Sequence, residues 1–247
     1  MNKRLSHKIS GFTLIELISV IVILGILAVS VSSFLKFGTQ IYAETTVRDQ
    51  IISSARFAVE RLNREVRQAL PNSLRAYTNS SGFSCLQFTP IVASTTYIDL
   101  AVLPEPASTT LQIIPFNDDN LPQATKVIAY PLELDDLAEV SDKNHVFSSL
   151  NKPVQPWILN FSTSIFFESD SPSQRIYFIG DNIDYCLTGT SLTRNTILMA
   201  QDITNNSAFQ VLPASLRRNA LVQIYLHFEK NDEKVTFNNE IQVLNVP

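Results

Sequence analysis

Apolar and polar residues alternate differently in three stretches of this chain. From Phe12 to Leu35 nearly every position is apolar or small, and Glu16 is the single charged residue. At about 1.5 Å per helical residue this run spans roughly 36 Å, enough to cross a bilayer with some tilt. From Gly38 to Leu70 the pattern becomes amphipathic and contains no proline. At about 100° per residue, Ile51, Ile52, Ala55, Val59, Leu62, Val66, Ala69 and Leu70 fall within roughly 60° of one direction. That stripe predicts packing on a sheet, and Pro71 predicts the end of the helix. The opposite side carries Arg56, Glu60, Arg61, Arg64 and Arg67, with Glu60 and Arg64 in the favourable i, i+4 order. Phe57 points away from the stripe and is read either as a surface aromatic or as a contact for another subunit's helix. Arg48 lies on the line of the stripe before its apolar part begins.

After Pro71 short β-rich runs alternate with clusters of Ser, Thr, Asn and Asp. Strands are predicted at Ser84 to Thr89, Tyr97 to Val102, Leu111 to Pro115, Lys126 to Tyr130 and Ile158 to Phe167. Others are predicted at Arg175 to Ile179, Asp184 to Leu187, Ile197 to Ala200, Leu221 to Glu229 and Lys234 to Val246. Val222 to Phe228 alternates cleanly, which buries one face and places His227 on the other. The polar loops Asn117 to Gln123 and Asp135 to Asn144 are read as separating two sheets. The fold class is therefore α+β, a long amino-terminal helix packed on antiparallel sheet. Its organisation is a basic leader (1–11), a membrane-length helix (12–37), its amphipathic continuation (38–71) and a β-rich head (72–247).

The leader carries Lys3, Arg4 and Lys8 with no acid, whereas residues 38–247 hold 15 Lys+Arg against 22 Asp+Glu, a net −7. A basic leader inside and an acidic domain outside is the orientation of the positive-inside rule. The acidity argues against a nucleic-acid binder, whose affinity comes from neutralising phosphates. Two simpler readings of the apolar run stay open: a secretory signal cut near Ala28-Val29-Ser30, and a plain uncut anchor. Neither accounts for Glu16, because an acid in hydrocarbon costs a few kcal/mol and marks a function or a partner. A cut after Gly11 would give Phe12 a charged amine one helical turn before Glu16.

At Ser10-Gly11-Phe12-Thr13-Leu14-Ile15-Glu16 the chain resembles the type IV pilin and pseudopilin superfamily. The resemblance implies cleavage by a prepilin peptidase between Gly11 and Phe12, methylation of the new Phe12 terminus, and an assembly role for Glu16 against a neighbouring subunit's terminus. It implies as partners other minor and major pilins, that peptidase, and an assembly platform in a Gram-negative inner membrane, with the head periplasmic and later on the pilus. Many members carry a helix-breaking proline later in the segment; here Ser32 and Ser33 occupy that neighbourhood, near Gly25. The large head suggests a minor subunit. The blocks Arg56 to Ser73, Cys85 to Ile91, Ile183 to Cys186 and Val243 to Pro247 resemble minor pilins of mannose-sensitive haemagglutinin pilus biogenesis. Related heads occur in pilus minor pilins and type II secretion pseudopilins, where they start or cap a fibre.

Cys85 and Cys186 are the two cysteines. In an oxidising periplasm they are expected to be bridged, closing a loop of roughly 100 residues for about 4–5 kcal/mol in the chain-entropy model. No phosphate loop, nucleophile elbow or His-Glu-x-x-His is present, and His7, His145 and His227 are scattered, so no enzyme, cofactor or metal site is expected. Asp135, Asp136, Glu139 and Asp142, like Asp118 and Asp119, read as solvated acidic loops rather than calcium sites, because neither has an EF-hand pattern. Asn79, Asn160 and Asn205 each begin an Asn-x-Ser sequon, which carries no weight beside a bacterial export signal.

Overall fold

A computed structural model describes residues 11–138, 142–215 and 218–243. The chain forms two compact units, one reaching to Asp49 and the other beginning at Gln50. The first contains the amino-terminal part of helix α1 (Leu14–Arg67), a continuous element of 54 residues. Its side chains from Leu14 to Leu35 are exposed, so this apolar surface has no core of its own to enter. Length and composition suffice for a membrane crossing.

In the second unit α1 buries Ile51, Ala55, Ala58, Leu62 and Val66, which are spaced by three or four residues. Ile52 and Val59, placed in the stripe by sequence, are half-buried at its margin, and Ala58 takes a central place. The helix stops at Arg67, three residues before the predicted Leu70. Pro71 has no N–H to give the Arg67 carbonyl and disfavours helical geometry at Leu70. The final turn tightens instead: Gln68 N–H bonds to Glu65 O, and Ala69 N–H to Val66 O, both at 3.1 Å. Leu70 then turns into the head, where its N–H donates to Thr89 O at 2.8 Å and its side chain packs with Ile128, Tyr177 and Ile179.

The strands are β1 (Arg75–Thr78), β2 (Ser84–Phe88), β3 (Ile91–Asp99), β4 (Ser108–Ile113), β5 (Lys126–Ala129), β6 (Asn144–His145), β7 (Ser149–Asn151), β8 (Trp157–Ile165), β9 (Arg175–Ile179), β10 (Ile183–Thr188), β11 (Ser191–Arg194), β12 (Ile197–Ala200), β13 (Phe209–Leu212), β14 (Ala220–Lys230) and β15 (Glu233–Val243). They form three sheets, ordered β1-β2-β10-β11-β12, β13-β14-β15 and β6-β5-β9-β3-β4-β8-β7. The pairings are antiparallel, which confirms the α+β class with three sheets where two were expected.

The acidic loops do not divide sheets. They hold the short 3-10 turns Leu121–Gln123 and Leu134–Leu137, inside the seven-stranded sheet between β4 and β5 and between β5 and β6. The actual division is an insertion. All seven strands of that sheet lie between β2 and β10, which pair with each other. Its core is Leu111, Ile113, Val127, Leu159, Ile176 and Phe178, with Trp157 and Phe116 packed against it. The chain leaves and returns through a tight neck, where Gly180 N–H meets Pro90 O at 3.2 Å. A Cβ at Gly180 would lie 3.3 Å from Gln123 O, so the neck leaves little room for a side chain. Strand β14 buries Ala220, Val222, Ile224, Leu226 and Phe228 and leaves His227 exposed, as its alternation predicts.

Candidate functional site

The amino-terminal segment places its three marked residues in a short space. Gly11 and Phe12 precede the helix, and Phe12 is 82% exposed. Thr13 caps α1: its Oγ1 accepts the Glu16 N–H at 3.4 Å, and its carbonyl accepts the Leu17 N–H at 3.2 Å. Glu16 therefore lies in the first turn, where unpaired N–H groups and the helix dipole favour a negative charge. The Thr13-Leu14-Ile15-Glu16 spacing is that of a capping box, a signal legible in the sequence. One expectation changes in detail. Phe12 is not helical, so its distance from Glu16 is set by the cap and not by a full turn of helix.

The carboxyl end of α1 carries a polar lock that sequence reasoning did not find. Glu65 Oε2 accepts the Tyr185 hydroxyl at 2.9 Å and the Arg194 Nε–H at 2.8 Å, while its Oε1 accepts the Arg61 Nε–H at 3.0 Å. Tyr185 and Arg194 are directly opposed on β10 and β11, so both side chains leave the same face of the five-stranded sheet. Burial alone would raise the Glu65 carboxyl; the hydrogen bonds from Arg194, Arg61 and Tyr185 outweigh it and hold its pKa below the ordinary value. Burial, with the bond to Glu65, pushes the Tyr185 hydroxyl upward. The helix ion pair is thus Arg61–Glu65, and Glu60 and Arg64 form none among the described residues. Arg61 stays partly solvated while its guanidinium reaches the anchored Glu65.

The remaining expected positions are equally definite. Cys85 and Cys186 are directly opposed on β2 and β10 and form a disulfide. Phe57 lies on the outward side of α1 and is 55% exposed. Asp136 is already engaged: it accepts the Leu132 and Glu133 N–H groups at 2.7 and 2.9 Å and pairs with the buried Lys143 at 3.0 Å. Asp118 pairs with Lys152. Glu139 lies outside the described residues, as does the block from Leu244 to Pro247. Among the described residues no group of three or more His, Cys, Asp or Glu is arranged to hold a metal ion. His145 is half-buried edge-on to Phe167, with Nε2 3.0 Å from Phe166 O.

Residues 6–32 match the family model for the prokaryotic N-terminal methylation motif. With the apolar helix that this segment overlaps, the match supports a type IV pilin or pseudopilin-like protein anchored in the inner membrane, a structural class that works by association with other pilins and an assembly machinery. No curated protein and no solved structure matches the chain.

Proposed function

We propose that this chain is a minor pilin of a type IV pilus of the mannose-sensitive haemagglutinin type, resembling MshO, acting where the fibre starts or at its tip. Prepilin peptidase cuts between Gly11 and Phe12, and the Phe12 amine is methylated. The observation that carries this reading is the methylation motif overlapping an exposed apolar helix in which Glu16 is the sole charged side chain from Phe12 to Leu35. In the inner membrane that helix is solvated by lipid, with the head in the periplasm. On extraction into a fibre, other helices replace the lipid. An unpaired carboxylate in the helical core pays a desolvation cost that correct pairing with a neighbour's terminus reduces, so Glu16 sets axial register.

The minor-pilin assignment is supported by where the resembling blocks fall. The end of α1, strand β2 and strand β10 are neighbours, joined by the Glu65–Tyr185 bond and the Cys85–Cys186 bridge. Mass spectrometry of the native product tests the mechanism: an N-methylated Phe12 terminus is expected, and an intact Met1, or a mature end beyond Leu35, would overturn it. Deleting the gene separates the alternatives. Loss of piliation supports a pilus subunit; intact pili with blocked type II secretion would make the chain a minor pseudopilin. Specific ligand binding by the native pilus, lost on deletion without loss of fibres, would make it a tip adhesin.

A further inference from the structure

An apolar shoulder lies where α1 runs beside the free edge of the five-stranded sheet. A hydrogen bond and a shared groove place the two elements side by side. Glu65 takes the Arg194 side chain near one end, and farther along Gln50 and Ser54 line a groove of about 290 Å³ with Leu198 and Met199. At about 100° per residue, Ser54, Arg61 and Glu65 lie within roughly 20° of the line facing this edge. Phe57 falls axially between the bond and the groove and about 60° farther round, on the solvent side.

On the sheet side, Ile197 is directly opposed to Arg194 and so shares its face, the face that reaches the helix. At its outer end this face is open: Ile197 is 59% exposed while Met199 is buried beside the helix, and β12 is the edge strand. Exposed apolar edges favour association and are usually short, charged or covered. Here an exposed aromatic and an exposed β-branched residue flank the same shoulder. Arg64 follows Phe57 by two turns, about 20° from it, and makes no ion pair among the described residues. An aromatic with an arginine beside it is the composition of an interface anchor.

The charge distribution says what fits there. Residues 50–67 hold 4 Arg against 2 Glu, a net +2, whereas residues 68–247 hold 10 Lys+Arg against 18 Asp+Glu, a net −8. Helix and head are thus of opposite sign within one chain. A contact from the helix of one subunit to the head of the next joins unlike surfaces, and such a contact can continue along a fibre.

We infer that Phe57, Ile197 and Arg64 form a docking face for the acid-rich head of another pilin-type subunit. This inference rests on the assembly function proposed above. Its test uses the full chain in the membranes of piliated cells. Photo-reactive benzoylphenylalanine is placed at position 57 or 197 in separate variants, with Val154, 98% exposed, as the control position. Adducts are expected from 57 and 197 and not from 154, joined to a peptide from the head of a pilin-type subunit. Arg64→Glu should lower their yield at least about fivefold, and Arg64→Lys should leave most of it. The Phe12 terminus and fibre incorporation are measured in the same cells. Normal cleavage and incorporation without adducts would overturn this inference alone, as would adducts only to lipid or to a non-pilin protein, or adducts indifferent to Arg64→Glu. Absent cleavage and incorporation would overturn the assembly function and this inference with it.

Discussion

The Tyr185 hydroxyl donates to Glu65 at 2.9 Å across 120 residues of sequence, joining the last turns of α1 to the middle of the five-stranded sheet. Tyr185 is fully buried, and Glu65 is also held by Arg194 and Arg61. Removing the hydroxyl leaves one oxygen of a charged group with a lost partner. Tyr185→Phe is expected to cost about 1.5–3 kcal/mol, the range for hydrogen bonds to charged groups. Thermal unfolding of the detergent-solubilised full chain checks this, and a double-mutant cycle with Glu65→Gln should show coupling of the two losses.

The same carboxylate makes the head acid-sensitive. Glu65 has a folded pKa below its unfolded value, and so has Asp136, where burial acts upward and the Glu133 and Leu132 N–H groups and Lys143 outweigh it. Stability from both is present above the unfolded values and is lost as pH falls through the folded ones. Unfolding temperature should therefore hold above about pH 5 and decline as pH falls through about 4 and below. Glu65→Gln should flatten part of that decline, and an unchanged pH profile would remove this role.

The bridge between Cys85 and Cys186 joins the strands on either side of the inserted seven-stranded sheet, with a sequence separation of 101. Closing such a loop restricts the unfolded chain by about 4–5 kcal/mol. The double variant Cys85→Ala with Cys186→Ala is expected to lose stability of that order, measured against the unreduced wild type by thermal unfolding. Protease sensitivity should rise first near the neck at Pro90 and Gly180.

Leu62 lies at the centre of the buried helix stripe, 1% exposed. Leu62→Ala should cost about 2–5 kcal/mol through lost transfer energy and the cavity left behind. Phe57→Ser, one and a half turns earlier on the open side, should change unfolding by no more than about 0.5 kcal/mol. Comparable losses at both positions would contradict the assignment of faces.

Glu16→Ala should leave membrane insertion and cleavage largely intact while reducing incorporation into fibres. Fractionation, terminal sequencing of the product and immunoblots of sheared pili separate the three. Glu16→Gln keeps the length of the side chain and removes its charge, so equal defects in both variants would point to charge and not to shape. Unchanged incorporation in both would end the role given to Glu16.

Much of this protein was legible locally. A membrane-length helix needs only a run of apolar residues, the methylation motif is contiguous, and Pro71 stops α1 by chemistry confined to one turn. Strands such as β9 and β14 showed in their runs or their alternation, while β1, β6, β7, β11 and β13 escaped because they are short and mixed in polarity. Tertiary structure decided what depends on distant partners. Nothing near residue 65 announces Tyr185 or Arg194, nor does any loop reveal that the β3 to β9 block is inserted between paired strands. The exposed shoulder at Ile197 is of the same kind, since its apolar run reads as a strand whether or not a neighbour covers it. Local steric and hydrophobic patterns determine which elements form; which edges and charges meet is set by pairings between residues far apart in the chain, and a single sequence carries no periodic signal for those.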